Sequence, residues 1–116
     1  MALYCTLDTV DGVAMLTLTG DLDLATAPEL QNAITRLLDT HRDERVAIDL
    51  DGVDALDDVG LGLVLGAAGR ARQQGGDVVV VCAPGTRRDR LALTGFDRAV
   101  TVVGRLADLA HPADPA

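Results

Sequence analysis

The chain has 116 residues, a length typical of one domain, and 48% of them are apolar, enough for a hydrophobic core. Its formal net charge of -8 disfavours direct binding to nucleic acid or to anionic membranes, and an aromatic content of 2% leaves almost nothing on which bases could stack. No apolar run approaches the roughly 20 residues that cross a bilayer, and aspartates interrupt any signal peptide, so we expect a cytoplasmic protein.

The chain begins with a predicted β-hairpin. Residues 3–8 and 13–19 alternate in polarity, which is typical of strands with one buried face. Asp11-Gly12 between them is a strong signal for a tight hairpin turn. A polar loop is then expected over residues 20–24.

A helix and a third strand follow. Thr26 and Glu29 have the spacing of a capping box, with Thr26 as the N-cap. Residues 46–50 alternate in polarity as a strand does, and residues 51–58 are expected to form an acidic loop. The apolar stripe of the helix consists of Leu30, Ile34, Leu37 and Leu38.

The second half predicts two further helix–strand units. Residues 59–74 place Leu61, Val64, Leu65, Ala68 and Ala71 on one helical face. Gly75-Gly76 is a good C-terminal stop. The remaining predicted elements are a strand at 78–81, a short helix at 86–94, a strand at 99–103 and a helical turn near Leu106 and Leu109.

This order predicts an α/β fold. The N-terminal antiparallel hairpin is followed by parallel β-α units, in a mixed sheet of five strands with helices mainly on one face. We expect one domain over residues 1–110 and a flexible tail at 111–116. If the strands lie in chain order, Cys5 and Cys82 are about 14 Å apart and form no disulfide, because a disulfide needs Cα atoms within about 7 Å.

The segment from Leu56 to Gly62 joins a strand to a helix. Asp57 or Asp58 there is either simply an N-cap or part of a binding site that uses the helix N-terminus. Gly62 and Gly66 lie on one face of the same helix, although each interior glycine costs about 1 kcal/mol relative to alanine. They allow either tight packing on the domain's own sheet or a flat docking surface.

Taken together, these segments resemble the STAS domains of anti-sigma-factor antagonists, over about residues 10–103. Any one segment is weakly specific, but their order and spacing are characteristic. The matching segments are residues 20–23, 26–30, 46–50, 56–62, 66–68, 70–72, 75–76 and 91–97.

The resemblance implies a non-enzymatic protein without cofactors or metals. In that family a serine kinase of the GHKL type binds and blocks a sigma factor, and the antagonist competes for the kinase. A serine within an Asp-Ser-Ser/Thr-Gly-Leu-Gly motif at the start of the second helix controls binding, because the phosphorylated form no longer binds. The implied partner is therefore a GHKL anti-sigma factor, and the protein itself is a monomer or weak dimer.

This sequence departs from the family motif at the regulated position. Asp58 occupies the place of the phosphorylated serine, and Val59 replaces the second hydroxyl residue. The resemblance implies a partner-binding surface made of Asp23, Asp57, Asp58, Val59, Gly60, Leu61 and Gly62. Asp58 either imitates the phosphorylated, weakly binding state or is accepted by an Arg or Lys of the partner, which makes the antagonist always active.

Other functional classes fit less well. The chain contains neither serine nor lysine, which removes Gly-x-Ser-x-Gly nucleophiles and phosphate-binding Lys-Ser/Thr loops, and the missing lysine also argues against a receiver domain. The alternative with the same fold is a STAS accessory subunit of a lipid-transport ABC system, which binds its ATPase subunit. Arg87, Arg88 and Arg90 form either a solvated face or a salt-bridge patch for a partner.

Overall fold

The structure, a computed structural model, describes residues 2–110. In this part of the chain, an N-terminal pair of strands is followed by a series of helices and strands. The elements are β1 (Leu3–Val10), β2 (Val13–Leu22), α1 (Ala27–Thr40), β3 (Arg45–Leu56), α2 (Asp58–Gln73), β4 (Asp77–Val81), α3 (Thr86–Leu93), α4 (Phe96–Ala99), β5 (Thr101–Val103) and α5 (Ala107–Ala110).

One mixed sheet carries the fold, with its strands in chain order β1-β2-β3-β4-β5. β1 and β2 are antiparallel, whereas β2, β3, β4 and β5 run parallel to one another. The hairpin turn has Asp11 and Gly12 at φ values of 52° and 81°, the left-handed conformation that a two-residue type I′ turn needs at both positions. The predicted fold class, hairpin and strand order are confirmed.

The main core lies between the sheet and helices α1 and α2. All four residues of the predicted α1 stripe are buried, and each such leucine contributes about 1.5–3 kcal/mol by leaving water. A smaller cluster around Ala47, Val81 and Leu106 covers part of the opposite face of the sheet. The helices therefore lie mainly on one face, as predicted.

The two loops predicted at residues 20–24 and 51–58 are largely strand. β2 continues to Leu22 and β3 to Leu56, and these two residues pair in the parallel register. The sequence prediction was wrong here because it followed the polar residues. Leu22 and Val53 are completely buried, so packing holds these strand ends in the sheet, whereas Asp51 and Asp54 are exposed.

The capping box predicted at the start of α1 is also wrong. Thr26 is the N-cap residue, but its side chain makes no hydrogen bond to the first turn of the helix. Its hydroxyl is buried and donates instead to the carbonyl of Asp21, at 2.7 Å. Because the hydroxyl is buried it needs a hydrogen-bond partner, and the strand carbonyl of Asp21 provides one.

Between residues 82 and 110, the structure contains one helix more than predicted. Gly95 has a left-handed φ of 78°, which redirects the chain after α3 and lets α4 begin with the buried Phe96. β5 consequently begins at Thr101 instead of residue 99. The predicted tail at 111–116 lies outside the described residues, and the domain boundary at residue 110 stays a prediction.

The two cysteines are separated by the width of the sheet, because β1 and β4 are three positions apart in it. Cys5 is on β1, and Cys82 directly follows β4 instead of lying within it; both are free thiols. Burial raises the pKa of each thiol above its ordinary value, and nearby arginines only partly oppose this rise. Neither has the lowered pKa that makes a thiol a good nucleophile at neutral pH.

Candidate functional site

The carboxyl ends of β2 and β3 meet at one edge of the sheet, where α2 also begins. The backbone N–H of Asp57 donates to the carbonyl of Leu22 at 3.1 Å, which ties the start of α2 to the end of β2. Asp23, the next residue after Leu22, is thereby brought close to the start of α2. We call residues 22–26 and 56–62, together with the side chain of Arg90 that contacts Asp58, the carboxyl edge.

Thr26 holds the loop between β2 and α1 in a fixed shape. Its hydroxyl donates to the carbonyl of Asp21 and accepts from the backbone N–H of Asp23, at 2.7 and 3.1 Å. The Asp23 carboxylate accepts in turn from the backbone N–H of Thr26, at 3.1 Å. Asp23 thus has the turn-forming role of an Asx residue, with its side chain partly exposed at the carboxyl edge.

Asp57 is the N-cap of α2. One oxygen of its carboxylate accepts from the backbone N–H groups of Val59 and Gly60, at 3.0 and 3.1 Å. These donors have no partner within the helix, so the carboxylate satisfies them and also interacts favourably with the positive end of the helix dipole. The side chain of Asp57 is therefore occupied by a local structural task.

Asp58, in contrast, is exposed to solvent and does not cap the helix. Its side chain is 90% exposed, although it is the first residue of α2. The only side chain that contacts it through a salt bridge among the described residues is Arg90 of α3, with Nη2 at 3.0 Å from Oδ1. An exposed carboxylate with one basic neighbour therefore lies at the start of α2, beside the N-cap carboxylate of Asp57.

Glycines 60 and 62 lie on opposite sides of α2. A Cβ atom at Gly60 would lie 2.7 Å from the Cβ of Leu22, so only glycine allows the helix to approach β2 this closely. A Cβ atom at Gly62 would meet nothing within 4 Å, and the same holds for Gly66 and Gly69 further along the helix. Gly62 and Gly66 were expected either to pack tightly on the domain's own sheet or to form a flat docking surface. The structure excludes the first of these explanations.

An apolar groove runs beside the outward side of α2. Its volume is about 260 Å³, and it lies between α2 and the segment that joins α3 to α4. Val59 and Leu65 add exposed apolar surface, at 39% and 38%. Leu65 therefore does not belong to the inward stripe predicted for this helix. The groove is lined by Asp58, Leu61, Gly62, Leu65, Thr94, Gly95, Phe96 and Ala99.

Two arginines attach α3 to the same end of the sheet. The guanidinium of Arg87 donates to the carbonyl of Val53 at 2.8 Å, and that of Arg88 donates to the carbonyl of Cys82 at 2.8 Å. These charge-assisted bonds to strand carbonyls hold α3 beside the start of α2. Arg87 and Arg88 are therefore not part of a freely solvated face, whereas Arg90 is exposed and pairs with Asp58. A patch of these arginines for a partner stays a prediction.

The carboxyl edge offers a small set of charged and apolar contacts. Among residues 2–110, no three His, Cys, Asp or Glu side chains are grouped so that they could hold a metal ion. Within the same residues, no helix combines the length and apolar character needed to cross a membrane. What the edge presents is a carboxylate, an arginine, bare glycine backbone and an apolar groove.

A family model described as the STAS domain matches residues 4–109. The chain belongs to the STAS family. The crystal structure of an anti-sigma factor antagonist from Mycobacterium paratuberculosis matches with a TM-score of 0.83 and 27% identity, over 97% of this chain and 96% of that one.

SpoIIAA matches this STAS domain at lower identity, which shows a shared fold. The unphosphorylated form of this anti-sigma factor antagonist has a TM-score of 0.67 and 17% identity, over 92% of this chain and 94% of that one. The phosphorylated form of SpoIIAA, a Bacillus cell fate determinant, has a TM-score of 0.65 and 16% identity, over 93% and 98%.

The residues predicted for partner binding divide into two groups in this STAS domain. Asp58, Val59 and Gly62 are exposed, and Asp23 and Asp57 are partly exposed beside them. Gly60 and Leu61 are buried, although Leu61 contributes to the floor of the groove. These two residues can shape the surface but offer little of it for direct contact.

Sequence reasoning missed two components of this edge. Arg90 lies 32 positions after Asp58, and no local spacing connects them. Thr26 was assigned to the wrong partner because the capping pattern and a buried strand-end hydrogen bond look alike in one sequence. The sequence shows both Asp58 and the basic residues of α3, but only the fold places Asp58 and Arg90 side by side.

Proposed function

We propose that this protein is a cytoplasmic anti-sigma factor antagonist. It binds a GHKL-type anti-sigma factor kinase through the carboxyl edge and so releases a sigma factor. Asp58 stands in place of the phosphorylatable serine, so serine phosphorylation cannot switch it. Support comes from membership of the STAS family and from the full-length similarity to the mycobacterial antagonist.

The observation that carries this proposal is the exposure of Asp58 at the first position of α2. A regulatory residue has to be reached by its partner, and a side chain that is 90% exposed meets that requirement. Its neighbours Asp23, Asp57, Val59 and Gly62 form the remaining contact surface. Gly60 and Leu61 support that surface from below.

With an aspartate at position 58, the protein cannot be controlled by serine phosphorylation. The chain contains no serine, and a carboxylate is not a substrate for transfer of phosphate to a hydroxyl group. A phosphoserine carries a charge of about -1.5 to -2 and three acceptor oxygens, whereas aspartate carries one charge and two oxygens. Asp58 is therefore an incomplete imitation of the phosphorylated state.

Reconstitution tests the proposed function directly. The purified chain is titrated into complexes of each GHKL anti-sigma factor of the source genome with its sigma factor, and release of the sigma factor is measured. We expect release from one of them. Asp58→Arg should abolish it, whereas Asp8→Arg, the same charge change at the opposite end of the hairpin, should not. No release from any complex contradicts the proposal.

Phosphorylation tests the part of the proposal that concerns Asp58. The Asp58→Ser variant is incubated with the bound kinase and labelled ATP, and label should appear on the variant but not on the original chain. If a kinase that binds the variant never labels it, position 58 is not the equivalent of the regulated serine. Capture of an ABC ATPase instead of a GHKL kinase would favour the accessory-subunit alternative.

A further inference from the structure

The Asp58–Arg90 ion pair occupies the boundary between two grooves. Asp58 lines the apolar groove beside α2, and Arg90 lines a second groove of about 270 Å³ together with Asp54, Thr86 and Arg87. The pair therefore forms the ridge between the grooves. Any molecule that covers the start of α2 has to contact this ridge.

Arg90 is set apart from the other arginines of α3. Arg87 and Arg88 are partly buried and donate to strand carbonyls, so their bonds position the helix. Arg90 has a side chain that is 44% exposed, and its guanidinium reaches across to a different helix. Because the two other arginines fix α3, Arg90 extends from a rigid base directly beside Asp58.

Stability does not explain this pair. Exposed ion pairs contribute little to folding, because water screens the charges and the long side chains lose freedom. The local effect on charge is larger. With the guanidinium at 3.0 Å, the carboxylate has a positive partner and one oxygen engaged, so the ridge is close to neutral.

We propose that Arg90 is a specificity-determining residue of the partner surface, which neutralises Asp58 and keeps the domain permanently competent to bind. This inference rests on the proposed function. A phosphorylated serine presents about two charges and three free oxygens, and a bare carboxylate moves the surface toward that state. A paired carboxylate resembles, in net charge, an unmodified hydroxyl. The basic group that accepts Asp58 is thus supplied by this chain and not by its partner.

A double-substitution cycle tests this assignment. The affinity of the GHKL kinase identified by reconstitution is measured for the original full-length chain, for R90Q, for D58N and for R90Q combined with D58N. We expect R90Q to weaken binding roughly three- to tenfold, because it leaves an unpaired carboxylate on the interface. D58N should remove that loss, so that the double variant binds as D58N does. R45Q, at the opposite end of β3, is the matched control.

The outcomes separate the possible roles of Arg90. Unchanged binding by R90Q overturns the proposal, and so does a loss of equal size in the D58N background, because Arg90 would then contact the partner directly.

The ion pair is also checked without any partner: R90Q, but not R45Q, should shift the NMR resonance of the Asp58 carboxyl carbon. If that resonance does not move, the pair is absent in solution and the proposal fails. Failure of the proposed function looks different, since the original chain itself then binds no kinase.

Discussion

Gly60 and Gly62 are separated by one residue, but the two sides of α2 on which they lie have different surroundings. Gly60 faces inward, where a Cβ atom would collide with Leu22, so the fold itself requires glycine at this position. Gly62 faces outward, where a Cβ atom would meet nothing within 4 Å. One glycine is explained by packing inside the domain, and the other is not.

The inward side of α2 packs inside the domain and holds the helix in place, whereas the outward side is available for contact with another molecule. Gly62 and Gly66 each cost about 1 kcal/mol in helix stability relative to alanine, and no internal contact offsets this cost. The inward side of α2 is accounted for by its contact with β2. The outward side makes physical sense if a second molecule lies close to the helix backbone, as the proposed function requires.

Gly60→Ala should have the largest effect on the inward side. The added methyl group has to displace Leu22, which is completely buried, so we expect a loss of about 2–3 kcal/mol in the free energy of unfolding, typical of overpacking. Urea denaturation followed by circular dichroism measures it. An unfolding free energy of Gly60→Ala that equals or exceeds that of the original chain would show that the close approach of α2 to β2 is not tight in solution.

Thr26→Val should destabilise the loop between β2 and α1. Valine keeps the shape but removes the hydroxyl, which leaves the carbonyl of Asp21 and the N–H of Asp23 without this partner. Loss of a buried hydrogen bond of this kind should lower the unfolding free energy by about 1–3 kcal/mol. The control is Thr26→Ser, which keeps the hydroxyl. Equal losses in both variants would point to packing as the cause.

Asp57→Ala should have a smaller effect, confined to the start of α2. Removal of the cap leaves two backbone N–H groups without their acceptor and should cost about 1 kcal/mol in unfolding free energy. Asp57→Asn keeps an acceptor oxygen and should be close to neutral. Hydrogen exchange should locate the change at Val59 and Gly60. If Asp57→Asn were as destabilising as Asp57→Ala, charge and not capping would be the main contribution of this residue.

The periodic parts of the fold could be predicted from the sequence. The α1 stripe and the alternating strands follow from burial of one face, which leaves a repeating pattern in the chain. Asp11-Gly12 is equally informative, because few residues adopt the left-handed conformations that the turn requires. The N-cap at the start of α2 was narrowed to two adjacent aspartates, and the structure selects Asp57.

The carboxyl edge was harder to predict because its polar residues lie within strands. Residues 51–56 look like a loop when aspartates are counted, yet Val53 is buried and β3 continues through them. The contact between Asp58 and Arg90 depends on how α3 is attached to the sheet through Arg87 and Arg88. Long-range placement of this kind leaves no spacing that a single sequence could reveal.

Gly62→Ala is the smallest predicted change in stability and the sharpest test of the outward side. Because nothing lies near the added methyl group, the helix should gain about 0.5–1 kcal/mol in unfolding free energy. Binding to the kinase should nevertheless weaken, since the methyl group holds the partner away from the backbone. Gly69→Ala provides the control, because it lies about 10 Å further along α2 and should stabilise the helix to a similar extent while leaving binding unchanged. A variant that is more stable and binds as well as the original chain would mean that the partner does not approach α2 closely at Gly62. The glycine would then have no role in the interface, and the comparison with Gly60 would lose its functional meaning.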